Sequence, residues 1–334
     1  MKTYRVTLTP KGTMSKIPDS QTLFGAFCWA YLDLYGEKSL EELLDNYFAH
    51  DDKFVVSSAF PNGFLPAPLF QWYKTEDIDK LSTNRTKFEV MSKLKKFKKV
   101  KYVTENLFDM LLMGDISVDV IVKDIIFQRN QYSICGNVLG LDYEDLSLSI
   151  SSQNSFKNSI NRLSNTTGDG GNLYYFNTVN LNRGSKLFFF MSTDNIDKYL
   201  PVFNLLSHGA IGGDRSSGNN NFQVELDDEF DPPVKDDRNW RVLLSKYIPK
   251  NIDKEIDKEK SLCKIDTVHS KVENRMFKVY DKEIIDIFSA VQEGSIIYKK
   301  ESLLGHLKIR NQASKKFEHN VYYNGIAFLY PLEV

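Results

Sequence analysis

Cysteine is scarce in this chain of 334 residues, and the three present, Cys28, Cys135 and Cys263, lie far apart. Without a CxxC pair there is no zinc ribbon, and a disulfide scaffold is disfavoured. Each thiol is expected to act as a small buried hydrophobe. Long apolar runs are missing too. The longest, LFGAFCWAYL and LFFFM, fall short of the ~20 residues a membrane-spanning helix needs, and the opening MKTYRVTLTP lacks the apolar block of a signal peptide. A cytoplasmic chain with no membrane partner is expected. Nor is either charge in surplus: 43 basic and 44 acidic side chains leave a formal −1. That removes the easy signature of a nucleic-acid binder without excluding one, because binding follows where the charge lies.

What is present builds a core. Apolar residues make up 42% and aromatic ones 13%, so global disorder is not expected. By the usual ~100–200 residues per domain, the length allows one large domain or two moderate ones. No repeat with a period of about 20–50 residues recurs, which argues against a solenoid.

Residues 3–9 alternate cleanly, Tyr4, Val6 and Leu8 on one face and Arg5 and Thr7 on the other, as a half-buried strand does. Residues 20–35 read as a helix: Leu23, Phe27, Ala30, Tyr31 and Leu34 fall at helical spacing, Asp19 or Ser20 can cap the start, and Gly36 can end it. Residues 53–58 form another short strand, followed by FPNGFLPAPLF, expected to be a rigid loop. Strand, helix and strand in this order suggest a ferredoxin-like α+β unit. Residues 85–101 hold eight basic side chains against Glu89, a local +7, with Val90, Leu94 and Phe97 as a narrow apolar stripe. This is a basic amphipathic helix. A solvated face is the usual fate of such a run, yet this much charge equally suits RNA or an acidic partner.

From 147 to 172 the composition turns to Ser, Asn, Thr and Gly, the mark of a long hairpin or loop. Strands return at LYYFNTVNL and KLFFFMS, then a helix over 196–207 in which Pro201 marks a restart. Residues 225–237 carry seven acidic side chains against Lys235, a local −6, around Pro232 and Pro233; this reads as a domain boundary. Beyond it, WRVLLSKYI, MFKVYD, SIIYKK and GIAFLYPL are strand-like, and NIDKEIDKEK reads as a charged loop. The division expected is residues 1–230, with insertions at about 75–115 and 145–172, and residues 236–334.

The stretch that carries most chemistry is SHGAIGGDRSSGNNNF, residues 207–222. Gly209, Gly212, Gly213 and Gly218 surround Asp214, Arg215, Ser216 and Ser217, after a helix and before a strand. Clustered glycines allow positive φ and close backbone approach, so successive N–H groups can converge on a phosphate, with Arg215 and the serines adding donors. A plain flexible connector is the competing reading, and an Arg-Ser-Ser inside the glycines weighs against it. No Gly-Lys-Ser/Thr ends the loop and no GxGxxG is present, so neither a Walker loop nor a dinucleotide fingerprint fits. Nor does GGDR make a polymerase palm, for want of paired metal-binding carboxylates.

Helix–GxxGGxRSxG–strand resembles the glycine-rich loop of the RAMP superfamily of CRISPR proteins. TYRVTL, DSQTLFGAFCWAY, FLPAPL, NSINRLSNTTGDGG and VYYNGIAFLYPL follow in an order that resembles the fourth-subunit family of the Csm (type III-A) effector complexes. GNNNF is a departure, since many relatives carry a further glycine there. The resemblance implies an α+β fold of two ferredoxin-like (RRM-like) domains with a long hairpin insertion and a glycine-rich loop. It implies a subunit that is not a catalyst, takes no cofactor or metal, and holds the repeat-derived 5′ handle of the guide RNA. The large polymerase-like subunit and the first copy of the target-cutting backbone subunit would be its partners. Residue by residue, Gly209, Gly212, Gly213, Arg215, Ser216 and Gly218 would face RNA backbone, and Asn161 and Arg162 would reach the junction of handle and guide. Ser20 and Thr22 would stand at a helix start, which favours phosphate on its own account. Tyr174, Tyr175 and Phe176 read as core plus surface and are not assigned to the site.

The rival readings are weaker. A metal-independent repeat endoribonuclease of the same superfamily needs a proton-transfer set. Of His50, His208, His269, His306 and His319 only His208 adjoins the loop, where it suits a helix C-terminus. A nucleotide hydrolase lacks its Lys and magnesium carboxylates. An adaptor without RNA leaves Arg162 and the glycine loop unexplained.

Overall fold

The computed structural model describes the chain apart from residues 46, 51, 70–77, 79–80, 83–85, 149, 159, 161–162, 168–172, 183, 214–217, 228–229, 231–238, 272–284, 311–319 and 333–334. Most of the acidic boundary stretch and the run MFKVYD lie outside the described residues.

The chain opens with β1 (Lys2–Pro10), whose Val6 and Leu8 are fully buried. Helix α1 (Ser20–Tyr35) starts on Asp19, which accepts the Thr22 N–H at 2.9 Å, and stops at Gly36, φ 84°. Helix α2 (Glu37–Asp45) and β2 (Phe54–Val56) follow. FPNGFLPAPLF is more regular than a loop: it contains β3 (Phe60–Pro61) and β4 (Phe64–Pro66), and each finds a sheet. A small subdomain follows, with α3 (Lys87–Phe97), β5 (Tyr102–Thr104), α4 (Glu105–Leu112), α5 (Val118–Phe127), β6 (Tyr132–Cys135) and β7 (Val138–Leu141). Its sheet runs β4-β5-β7-β6. Then come the paired strands β8 (Ile150–Asn158) and β9 (Leu173–Leu181), β10 (Leu187–Thr193), a 3-10 turn at Asp197–Tyr199, α6 (Leu200–His208) and β11 (Phe222–Asp227). Pro201 sits in the first turn of α6, where its missing N–H is harmless.

The main sheet is ordered β11-β1-β10-β2, all antiparallel, with β3 added to β10. Helix α1 connects β1 to β2, and α6 connects β10 to β11, in β–α–β then β–α–β order. On one face Phe27 of α1 meets Phe203 of α6 at 5.6 Å and Phe189 of β10 at 6.0 Å between ring centres. On the other, Phe190 stacks on Phe328 at 5.9 Å and meets Tyr330 at 5.7 Å. Both faces of β10 are covered, so LFFFM is continuously apolar where a half-exposed strand would alternate.

Phe328 and Tyr330 belong to the C-terminal half: β12 (Trp240–Leu243), α7 (Ile252–Glu255), β13 (Ile265–Lys271), β14 (Ile285–Val291), β15 (Ile296–Tyr298), β16 (Leu307–Arg310), β17 (Val321–Asn324) and β18 (Leu329–Pro331). The sheet is β15-β12-β18, with β13-β14 and β16-β17 as separate pairs. NIDKEIDKEK, expected as a loop, contains α7. The thiols also differ from expectation: Cys135 and Cys263 are exposed, and only Cys28 is sheltered, with burial raising its pKa. No helix among the described residues is long and apolar enough to cross a membrane.

A buried polar junction ties the halves together. Ser20 and Ser58 are almost fully buried. The Ser20 N–H donates to Ser58 Oγ at 3.0 Å, Ser20 Oγ accepts the Lys246 N–H at 2.9 Å, and Ser58 Oγ donates to Glu293. Lys246 Nζ pairs with Glu293 at 3.2 Å and with Asp266 at 3.4 Å. Next to Glu293, Gly294 takes φ 84°, and a Cβ there would stand 2.5 Å from the Ala67 carbonyl oxygen. Only glycine fits.

Two predictions follow from this packing. Ser20→Ala strands the buried Lys246 amide, so the denaturation midpoint should fall by an amount equivalent to about 1–3 kcal/mol, read by urea unfolding; an unchanged midpoint would show that the junction is not stabilising. On α4, burial, with the Glu105 carboxylate a turn away, pushes Asp109 up to about 6. A folded pKa above the unfolded value of about 4 means stability is fullest below that value and declines as pH rises through 6. Asp109→Asn should therefore melt higher than wild type at pH 7.5, with the gap closing below pH 4.

Candidate nucleic-acid interface

Helix α6 ends on the exposed His208, and the Gly209 N–H closes its last turn on the Leu205 carbonyl at 3.0 Å. Gly209, Gly213 and Gly218 are exposed. Gly212, half-buried at φ 104°, lies so close to α1 that a Cβ would be 3.1 Å from Thr22 Cγ2. The structure thus brings Gly212 and Thr22 together across 190 residues of chain. Gly218 takes φ 80°. Arg215 and Ser216, like Asn161 and Arg162, lie outside the described residues.

The departure at GNNNF is where the loop is clamped. Asn220 occupies the left-handed region at φ 60°, the non-glycine type best suited to it, and is 1% exposed. Its Nδ2 donates to the Gly213 carbonyl at 2.5 Å and to Ser15 Oγ at 3.0 Å, while its Oδ1 accepts the Ser15 N–H at 2.8 Å. Asn219 Oδ1 accepts from Thr13 Oγ1 at 2.5 Å, and Asn221 Nδ2 donates to the Gly218 carbonyl at 2.9 Å. An asparagine here keeps the backbone turn of a glycine and adds a fixed side chain. The contacts to Thr13 and Ser15 are not visible from the sequence, because those residues lie some 200 positions away.

Residues 11–15, between β1 and α1, support two features at once. Towards the glycine loop, the Lys11 N–H donates to the Asn221 carbonyl at 2.9 Å and Lys11 Nζ to the Ser207 carbonyl at 2.7 Å. Towards the other side, Met14 and Val179 of β9 exchange both backbone hydrogen bonds, at 2.9 and 2.7 Å. The glycine loop and the root of the β8–β9 ribbon therefore share one support. Along the ribbon, Phe156 (63% exposed) and Tyr175 (71%) pair at 4.8 Å, Tyr174 is exposed, and Lys157 Nζ stands 4.2 Å from the Phe176 ring centre. The Tyr-Tyr-Phe run is more surface than core. Its signal in sequence was the polar composition of the strand paired with it.

The α1 N-terminus differs from the sequence reading. Ser20 is wholly buried and holds Lys246, so it does not face the loop. Thr22 is half-buried, and both its N–H and its hydroxyl go to Asp19, at 2.9 and 2.7 Å. Burial alone would raise the Asp19 carboxyl; Lys16, 3.0 Å away, and the two Thr22 donors outweigh it and hold the pKa below the usual value. The helix start already has its anion, and Thr22 contributes its methyl group as a wall behind Gly212. What remains exposed at the loop among the described residues is Gly209, Gly213 and Gly218, with the exposed Lys11 and Lys16 beside them. Such a surface holds phosphates by N–H donation and local positive charge.

No family model matches the chain. A Csm4 protein of a CRISPR system from Thermococcus onnurineus (strain NA1) is 26% identical over 252 residues, 73% of this chain and 74% of that one. In fold the chain is similar to one in the Csm3–Csm4 subcomplex of the type III-A CRISPR-Cas interference complex, with a TM-score of 0.63, 19% identity, and 99% and 100% of the two chains covered. It is also similar to one in a Csm1–Csm4 cassette bound to cA4, with a TM-score of 0.57, 19% identity, and 100% and 99% covered. These findings agree with the resemblance carried by the glycine loop and its flanking segments: the chain is similar in sequence to a Csm4 protein and in fold to chains of type III-A Csm assemblies.

Proposed function

We propose that the chain is a non-catalytic, RNA-binding subunit of a cytoplasmic type III-A (Csm) interference complex, holding the repeat-derived 5′ handle of the guide RNA. The observation that carries this reading is the shared support at residues 11–15, which joins the glycine loop to the root of the β8–β9 ribbon. The loop backbone takes phosphates, with Arg215 and Ser216 as further donors. Asn161 and Arg162, in the connection between β8 and β9, reach the RNA where handle meets guide. A splayed single strand also needs faces on which to stack, and the exposed Tyr174 and Tyr175 supply them.

The β–α–β–β–α–β order of the main sheet supports a ferredoxin-like domain over residues 1–230, and residues 236–334 form a divergent second one. The large polymerase-like subunit and the first copy of the target-cutting backbone subunit are its protein partners. The solved assemblies of Csm1 with Csm4 and of Csm3 with Csm4 support that choice.

Co-expression with the neighbouring subunits, followed by extraction and 5′-end sequencing of bound RNA, tests the reading. Wild type should yield RNAs sharing one repeat-derived 5′ end, and Arg162→Ala/Arg215→Ala should lose or trim them. Undiminished RNA in the double variant would discard the site. Cleavage of repeat RNA by the chain alone, abolished in His208→Ala, would replace the reading with an endoribonuclease. The loop clamp gives a graded prediction. Asn220→Gly keeps the left-handed turn and loses the clamp, whereas Asn220→Ala loses the clamp and strains the turn. Stranding the Ser15 amide is worth about 1–3 kcal/mol, so handle RNA recovered per complex should fall in the order wild type, Asn220→Gly, Asn220→Ala.

A further inference from the structure

The glycine-loop site makes no use of the basic helix α3. Its inner side is accounted for. Val90 and Phe97 are buried, Thr86 and Glu89 form a capping box at its start, and Lys93 turns inward so that Nζ donates to the Ile125 and Ile126 carbonyls at 2.9 and 3.0 Å. Lys93 thereby neutralises the C-terminal end of α5.

The outer side is different. Opposite Val90 and Phe97 the helical repeat places Phe88, Met91 and Lys95, and Lys99 follows in the turn after the helix. All four are exposed, Phe88 at 81% and Met91 at 58%. Lys96 and Lys101, also exposed, flank them. Among the described residues no carboxylate pairs with Lys95, Lys96, Lys99 or Lys101. Helix-dipole compensation accounts for cations in the last turn. It does not account for Lys99 and Lys101 beyond that turn, nor for a bare phenylalanine at the opposite end.

The kind of partner follows from the residue types. Protein interfaces are depleted in lysine, and an unpaired lysine row facing water is what a polyanion neutralises with release of counterions. An aromatic ring in line with that row offers a stacking face to any base. From Phe88 to Lys96 the helix advances about 12 Å, and Lys99 and Lys101 continue the basic run past its end, long enough for several nucleotides of an extended strand. We infer that the outer face of α3 and the turn after it, formed by Phe88, Met91, Lys95, Lys96, Lys99 and Lys101, is a second RNA-binding surface, holding single-stranded RNA through its backbone without regard to sequence. It is separate from the handle site and does not depend on it.

The test uses the full chain and a fluorescein-labelled 30-nucleotide polyuridine RNA, followed by anisotropy between 50 and 200 mM KCl. Replacing Lys95, Lys96, Lys99 and Lys101 together by Gln should weaken binding at 50 mM at least about tenfold. It should also flatten the plot of log affinity against log salt by about 0.7 for each phosphate contact removed. The same four positions changed to Arg should restore both. Phe88→Ala should weaken binding about fivefold or more and leave the salt slope unchanged. Equal affinity and slope for wild type and the Gln variant would overturn the inference. So would loss of co-purifying subunits by the Gln variant with polyuridine binding intact, which would make the face a protein interface. A handle-bearing RNA run in parallel with Arg162→Ala/Arg215→Ala keeps the outcomes apart: that variant should lose the preference for the handle and retain the polyuridine binding.

Discussion

The bond from the Lys246 amide to the buried hydroxyl of Ser20 fixes where helix α1 begins, and much of the candidate site is placed by that point. One residue earlier, Asp19 caps the helix; two residues later, Thr22 presents the methyl group against which Gly212 lies. The junction is polar and buried, so it is not an economical way to gain stability, because burying Lys246 beside Glu293 carries a desolvation penalty that the pair must offset. Its value is directional. Hydrogen bonds fix angle and register where two apolar surfaces could slide, and here they fix the start of a helix relative to a strand and turn from the other half of the chain. Glu293 also raises the pKa of Tyr102, after burial itself, so the same carboxylate is felt in the inserted subdomain. The turn carrying it is held by Gly294, packed on the Ala67 carbonyl.

From that fixed helix start the geometry passes outward through short, well-bonded pieces. Residues 11–15 carry almost no regular structure, yet they bond to Asn219, Asn220 and Asn221 on one side and to Val179 on the other. A loop whose backbone is to hold phosphates must keep its N–H groups pointed outward. Clamping by the buried Asn220 leaves Gly213 and Gly218 exposed. The glycines supply permissive backbone, and Asn220 removes the freedom they would otherwise bring.

The legible parts of this fold were those in which local chemistry and tertiary packing agree. The alternation of β1, the spacing and ends of α1, the restart at Pro201 and the continuous LFFFM strand all state their environment locally. The helices ENLFDMLL and VDVIVKDIIF were not assigned, because they are nearly continuous apolar segments and short apolar runs do not declare their period. The strands inside FPNGFLPAPLF were hidden by prolines at strand ends. In the site, the glycine loop was evident from composition alone, while its clamp was not. Ser20 was misplaced for a related reason: a serine at a helix start looks solvent-facing unless one knows that Lys246, 226 residues away, approaches it.

Charge is the feature that composition conceals most completely. The chain totals −1, but residues 85–101 carry +7, leaving −8 for everything else, of which residues 225–237 supply −6. A polyanion responds to the local potential, screened over about 10 Å at ordinary salt, so it meets the face of α3 as a strongly basic surface whatever the remainder carries. An acidic remainder disfavours non-specific adhesion of a polyanion elsewhere on the surface. A uniformly basic chain of this size would bind RNA over much of its surface and could not keep a handle in one register. Near-neutral total charge with strong segregation is therefore the composition expected of a subunit that must hold one RNA segment in a fixed place while other chains dock around it.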